Sequence, residues 1–488
     1  MQIDRLFEKR ERAIYQLLLY LENRKDQPFL KEVCAHLELS KSTLVRYIET
    51  FNEQANDEGL GLEFQMSKEQ IFLKREGNLS RQEIIAFLCG SSVKYQILCA
   101  LFDKDHLSVQ MLAQDTLLSE ATLNRQLASL NQLLSEFKIS IKGGRLKGSE
   151  LQIRYFYHQL FHLTNGLSSW QSSHLLTDLE RLLPVFERFY QSNLNKRQAD
   201  SVLLWLVIAQ KRFKLNQLDF KPLYQLMEPY LEHKFYKALR KMYFTLVQQQ
   251  AVTFQEGETM SLFAFLFSHF ILAPHQLEQV LGFGGPVMEA TSRVVQEIRQ
   301  FTGGQYAVSE EGLYHINQIM SQLYFFQASI QLEEVENGTY REESKRIIQQ
   351  VNQTIYRKRN WKNESSSHLV SMLESLFTYL SQVEPIQVKV GFASSQHEVF
   401  SYPKLMQLRE RLEGNRQVQI DYFNAETVVD LLITDYFQTT DLPVYYITDR
   451  IKERDIHALK GMIQELYQLK LLESKKLIQE NKFPIEHR

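Results

Sequence analysis

Few residues in this sequence break a helix. Its 488 residues include 19 Gly and 10 Pro, too few for a loop-rich β architecture, so helix is favoured. Cysteine is scarcer still. Cys34, Cys89 and Cys99 form no CxxC pair and have no histidine neighbours at zinc spacing, which leaves them as small apolar residues of a reducing compartment. The start, Met1 to Arg5, is charged and lacks an apolar signal region. The longest apolar run, around Ser261 to Pro274, is interrupted by His269 and is too short to span a bilayer. A cytoplasmic protein without membrane contact is expected. A charge surplus is missing too: 56 Lys and Arg stand against 58 Asp and Glu, for a net charge of −2. Any contact with nucleic-acid phosphate must therefore come from a local basic patch. The phosphate loop GxxxxGKS/T and the HExxH and GxSxG signatures are absent. No catalytic residue, cofactor or metal site is expected, and the chain reads as a non-enzyme.

What is present is apolar and well distributed. Hydrophobic residues make up 44% and aromatics 12%, with a mean hydropathy of −0.31, which points to filled cores rather than extended disorder. The length exceeds one core, so about three to five domains are expected.

One pattern occurs twice. Leu39-Ser40-Lys41-Ser42-Thr43-Leu44-Val45-Arg46-Tyr47-Ile48 is echoed by Leu118-Ser119-Glu120-Ala121-Thr122-Leu123-Asn124-Arg125-Gln126-Leu127, and 119 minus 40 gives an offset of 79. Leu30, Val33 and Phe51 fall opposite Val109, Leu112 and Leu130 at that offset. Each copy predicts a short helix, a turn and a second helix capped by serine, the build of a helix-turn-helix reading head. Leu44, Ile48 and Phe51 form the buried face of the first second-helix. Leu123, Leu127, Leu130 and Leu134 form that of the other. Lys41, Ser42, Val45, Arg46 and Glu49 then face outward in one copy, and Glu120, Ala121, Asn124 and Arg125 in the other.

A β-hairpin, or wing, is predicted after each copy: Leu62–Met66 with Gln70–Lys74, and Ile139–Lys142 returning after Gly143-Gly144, a pair suited to a tight turn with positive φ. Lys138, Lys142, Arg145 and Lys147 surround that turn with no acid between Phe137 and Ser149. The candidate contacts to duplex DNA are Ser40, Lys41, Ser42 and Arg46 in the first copy. In the second they are Ser119, Thr122, Asn124, Arg125, Lys142, Arg145 and Lys147. Helix N-termini and basic wing tips suit phosphate, arginine suits guanine or phosphate, and Asn124 suits adenine. The second copy, with its more basic wing, is expected to be the stronger reader.

From about Leu160 to Val383 the pattern is helical. Leu203–Ile208 and Leu262–Phe267 read as helices buried on most sides, and Gly282, Gly284, Gly285 and Pro286 mark a boundary between two bundles. His269 and His315 sit on helical stretches, each as a packed structural histidine or as a switch that phosphorylation would bias. After Pro385 the pattern changes. Ile386–Val390, a helix from Tyr402 to Leu412, Val418–Tyr422, Val429–Ile433, Val444–Ile447 and a closing helix Lys452–Leu472 predict a small parallel α/β domain. Its first loop, Phe392 to Gln396, lies where such folds place ligands.

Tandem winged helices, two helical bundles and a small α/β tail resemble the Mga/AtxA family of virulence regulators from Gram-positive bacteria, over essentially the whole chain. The fold class this implies is mainly α and multidomain. Winged helix-turn-helix domains span 1–76 and 77–159, PRD-like bundles (phosphotransferase-system regulation domains) span 160–279 and 280–383, and an enzyme IIB-like α/β domain spans 384–488. The resemblance implies DNA binding, transcription activation, and self-association as a homodimer or higher oligomer in which the tail takes part. It also implies phosphotransferase-system phosphocarrier proteins as partners that phosphorylate histidines, with His269 and His315 as the candidates, because the helix carrying Leu203–Leu206 has none. Several enzyme IIB classes use a cysteine after the first strand. No cysteine follows Cys99, so the tail is expected to be an interaction or sensing module. The alternatives are a PRD-containing RNA-binding antiterminator, which would begin with a small β-rich domain, and a phosphotransferase-system component, which would need a nucleophile.

Overall fold

The duplicated segments fold as two winged heads built on one plan. In the computed structural model the first head comprises α1 (Lys9–Glu22), α2 (Leu30–His36), α3 (Lys41–Asp57) and a hairpin of β1 (Leu62–Ser67) and β2 (Gln70–Arg75). The second comprises α4 (Arg81–Gly90), α5 (Val93–Asp103), α6 (Val109–Asp115), α7 (Glu120–Leu134), β3 (Ser140–Lys142) and β4 (Arg145–Lys147). The structure describes residues 1–480 apart from 25, 78, 105, 117, 165, 216–217, 250–254, 273–283, 302–307, 309, 333–339, 357–366, 384–386, 413–417, 425–427, 438–439 and 449. Pro274, Gly282, Pro385 and Ile386 of the expectations above lie outside them.

The reading helices form for the same reasons in both copies. Ser40 accepts from the Thr43 N–H at 3.2 Å, and Ser119 accepts from the Thr122 N–H at 3.3 Å, which satisfies one orphan donor at each helix start. Leu44, Ile48, Phe51 and Ala55 make the buried stripe of α3. In α7 the stripe is Leu123, Leu130, Leu133 and Leu134. Leu127, expected in it, is only half-buried, and Leu133 takes the core position instead. Both helices stop on a left-handed residue, Gly59 at φ +65° and Lys138 at φ +53°. The chain then closes back with Leu60 N–H to Ala55 O at 2.8 Å and Ile139 N–H to Leu134 O at 3.2 Å. These residues keep the offset of 79, as 138 minus 59 and 134 minus 55 show.

The chain divides into two compact units. The first holds Met1–Pro286, Gln318–Asn337 and Lys358–Leu369; the second holds Val287–Asn317, Gly338–Arg357 and Val370–Arg488. Helices of the middle region are α8 (Glu150–Leu163), α9 (His174–Glu180), α10 (Leu183–Tyr190), α11 (Lys196–Phe213), α12 (Lys221–Met227), α13 (Lys234–Gln249), α14 (Glu256–Leu266), α15 (Pro286–Phe301), α16 (Glu310–Phe325), α17 (Arg341–Thr354) and α18 (Ser367–Val383). Leu203–Ile208 and Leu262–Phe267 are buried throughout, as their unbroken apolar runs require. In the first unit Trp205 stacks on Phe265 at 4.4 Å. In the same unit Glu150 receives Arg154 and Arg212, and Arg154 forks onto Glu258 with both bonds at 2.6 Å. Burial raises the Glu150 pKa, but the two guanidiniums outweigh it and hold the carboxyl below its usual range.

Within the same unit an extended stretch after α16 ties α8 to the first head and the segment ahead of it. Ile330 N–H donates to Gln159 Oε1 at 2.6 Å, Tyr15 OH donates to Leu332 O at 2.8 Å, and Ile3 N–H donates to Gln331 O at 2.8 Å.

In the second unit, residues 388–480 build a four-stranded parallel sheet in the order β6 (Val418–Tyr422), β5 (Val388–Ala393), β7 (Leu431–Thr434), β8 (Val444–Tyr446). It is accompanied by α19 (Glu398–Leu412) and α20 (Glu453–Glu480). Val390, Phe392, Ile420 and Ile433 from the strands pack with Leu405 and Leu408 of α19 and Leu459 of α20. Among the described residues no single helix is long and apolar enough to cross a membrane.

Candidate nucleic-acid interface

Each head presents its reading helix by clamping the wing beside it. Asn52 donates its amide to Phe64 O at 2.8 Å and accepts from Phe64 N–H at 2.9 Å. Asn131 does the same to Ile141, at 3.1 and 2.6 Å. One side-chain amide thus pairs with both backbone groups of a wing residue, as a neighbouring strand would. The wing is pinned from the other side at, or just before, the start of the short helix. Leu30 N–H donates to Glu69 O at 2.7 Å in the first head, and Leu107 N–H to Gly144 O at 3.0 Å in the second.

Sequence reasoning missed both asparagines. The available signal was their identity at the duplication offset, since 131 minus 52 is 79.

The expected contact residues lie on the outer side of this scaffold. Ser40, Lys41, Ser42 and Arg46 are exposed or half-exposed, and Ser119, Thr122, Asn124, Arg125, Lys142 and Lys147 lie on the second head's outer surface in the same way. Arg145 departs from expectation, because its side chain is half-buried rather than exposed. The Ser119 and Thr122 hydroxyls pair at 2.9 Å, and those of Ser40 and Thr43 at 2.8 Å, so these oxygens serve the caps first.

The two heads differ in charge. Lys41 is paired with Glu69 of the first wing at 2.6 Å, and Lys74 with Glu76 at 2.7 Å, so much of the first head's positive charge is internally neutralised. The second wing has four basic residues and no acid from 138 to 148. Its turn uses Gly143 at φ +56° and Gly144 at φ +69°, as the sequence predicted. A Cβ on Gly144 would meet Leu107 O at 2.1 Å, so glycine is also required there by the close backbone approach. The first wing turns instead on Lys68 and Glu69, at φ +50° and +67°, which are strained positions for side-chain-bearing residues.

The two candidate histidines belong to different compact units. His269 occupies the turn after α14 rather than a helix, because α14 ends at Leu266. Its Nδ1 lies 3.2 Å from Phe265 O and 2.9 Å from Ser268 Oγ, and its ring meets those of Phe265, Phe326 and His158. Burial pushes its pKa down to about 3, partly opposed by the bond to Phe265, so the ring is neutral. His315 lies on α16 as expected, half-buried, with Nδ1 2.7 Å from Glu311 O. His158 joins His269 in the first unit's aromatic core, a proximity between α8 and the turn after α14 that no local spacing reveals.

The loop after β5 meets the turn after β7 at the point where the sheet order reverses direction, the usual ligand crevice of such sheets. Asp435 fills it. Its carboxylate accepts from Ser395 N–H at 2.6 Å and Ser394 Oγ at 2.7 Å, with Lys404 Nζ at 3.6 Å. Burial raises this carboxyl's pKa, but those partners outweigh it and leave it depressed. Among the described residues no group of His, Cys, Asp and Glu is placed to hold a metal ion.

Serine-capped reading helices, amide-clamped wings and an exposed basic edge define a winged helix-turn-helix DNA-binding protein. Residues 77–161 match the Mga helix-turn-helix domain, and the resemblance to the Mga/AtxA regulators is shown on that segment. It contains the whole of the second head and most of α8. The matched domain makes the chain a DNA-binding transcriptional regulator. No curated protein matches it.

Proposed function

We propose that the chain activates transcription by gripping duplex DNA with both heads, the second acting as principal reader. The observation that carries this reading is the exposed pair Asn124–Arg125 on a capped helix beside a wing free of acids. A gel-shift comparison of duplex DNA with structured RNA of equal length tests it. Preferential binding of duplex supports it, and preferential binding of RNA would favour an antiterminator.

The middle bundles, as PRD-like domains, take phosphoryl groups from phosphocarrier proteins at His269 or His315. A phosphoryl group adds about two negative charges. At His269 it would enter a pocket of Phe265, Phe326 and Tyr155 rings, where an unpaired charge is costly and would open the turn. Incubation with the general phosphotransferase proteins and phosphoenolpyruvate, followed by intact-mass measurement, checks this. An unlabelled protein would leave both histidines structural.

The tail acts as an enzyme IIB-like interaction module in self-association. Val399, Phe400, Val428 and Phe437 are 70 to 83% exposed there, and apolar exposure on that scale suits a protein contact. Replacing Phe400 and Phe437 together with serine should shift the sedimentation profile toward monomer. An unchanged profile would place the contact elsewhere.

A further inference from the structure

Both heads lie in the first compact unit, and contacts at several places fix one against the other. At the end of β2, Arg75 pairs with Glu22 of α1, and the same carboxylate takes Arg81 of α4 at 2.9 Å. Glu22 therefore clasps the last strand of the first head to the first helix of the second. Phe51 of the reading helix α3 meets Phe87 of α4 edge-on at 5.5 Å. Gln126, next to Arg125 on the reading helix α7, donates to both oxygens of Glu8 at 3.2 and 3.3 Å, just ahead of α1. Ser92 Oγ donates to Leu6 O at 2.5 Å, Lys94 Nζ to Arg5 O at 3.2 Å, and Arg5 to Glu136 at 2.9 Å. Each reading helix is thereby tied to a helix of, or the segment just before, the opposite head.

Only five residues, 76 to 80, join Arg75 to Arg81. A linker of that length, unrestrained, spans up to about 17 Å and would let the heads adapt to several spacings. The contacts remove that freedom. We propose that they make the tandem a rigid ruler, which engages DNA at one separation and one rotational phase, with Glu22 and Gln126 as positioning residues. This rests on the DNA-binding reading above. It adds that the recognised element consists of two segments whose spacing is specified as strictly as their sequence.

The test uses the full chain and a duplex that it selects from a random library, with hydroxyl-radical footprinting to locate the two protected segments. Five inserted base pairs turn one segment about half a helical turn from the other. A rigid tandem must then release one head, and affinity should fall by about tenfold or more. Ten inserted base pairs restore the phase but not the distance, so the loss should persist. The Glu22→Ala, Gln126→Ala variant should bind the parent duplex more weakly, yet lose less than about threefold on the five-pair insertion. A thermal melt shows whether this variant is folded; if it is not, the wild-type insertion series decides alone. Wild-type tolerance of the insertion, a single protected segment, or a folded variant with the full wild-type penalty would overturn the proposal. Absence of any duplex binding would instead defeat the DNA-binding reading on which it stands.

Discussion

The first and second heads share their internal hydrogen bonds and differ in their outward charge. From the helix caps through the left-handed stops at Gly59 and Lys138, equivalent groups make equivalent bonds at an offset of 79. Beyond that point they diverge. The clamped wing residues, Phe64 and Ile141, differ by 77, and the turn residues Lys68 and Gly143 by 75. The second wing is thus shorter, glycine-turned and basic, whereas the first is longer, strained at its turn and neutralised by its own acids. What holds a reading helix in place is common to both, and what faces a ligand is not. The contrast supports the proposed division of labour, in which the second head reads and the first positions.

The largest expected effects probe the shared scaffold. Leu44→Ala and Leu123→Ala each empty a fully buried position and should destabilise by about 2–5 kcal/mol in denaturant unfolding. If only one of them does, the heads are not equivalent scaffolds. Asn52→Ala and Asn131→Ala each strand two backbone groups of the wing and should cost about 1–3 kcal/mol. Melting without a shift at either site would remove the clamp from the shared plan.

Smaller effects probe the difference. Neutralising Lys142, Arg145 and Lys147 together should flatten the salt dependence of duplex binding, by up to roughly 0.9 in log–log slope for each phosphate that is no longer neutralised. Because Arg145 is half-buried, most of that change should come from the two lysines, and equal shares from all three single variants would contradict the assignment. Lys68→Gly should stabilise the first head by up to about 1 kcal/mol, because glycine relieves the positive φ of its turn. A drop in stability would mean that the Lys68 side chain contributes more than its backbone costs.

Much of the fold was legible in the sequence because duplication doubles a weak signal. One Ser-x-x-Thr-Leu pattern describes many helices, while two in register with following hairpins describe a pair of winged heads. The buried helices of the middle region and the parallel tail followed from unbroken apolar runs. What escaped depended on contacts across the fold. Asn52 and Asn131 act on strands ten or more residues away. His269 was expected on a helix, but the apolar run around it does not show that the helix ends at Leu266. Leu127 continued the heptad-like stripe on paper, yet the core of the head lies nearer Leu133. Asp435 fills the crevice beside Ser394 only because the sheet places β7 next to β5. No window of sequence carries that neighbourhood.

The central claim is that DNA is read chiefly by the second head. Equilibrium binding of Arg125→Ala and Arg46→Ala to the same selected duplex, side by side at one salt concentration, tests it most directly. The account predicts that Arg125→Ala loses about 1–3 kcal/mol of binding free energy, and that Arg46→Ala loses distinctly less. Wild-type affinity in Arg125→Ala, or a larger loss in Arg46→Ala, would contradict it.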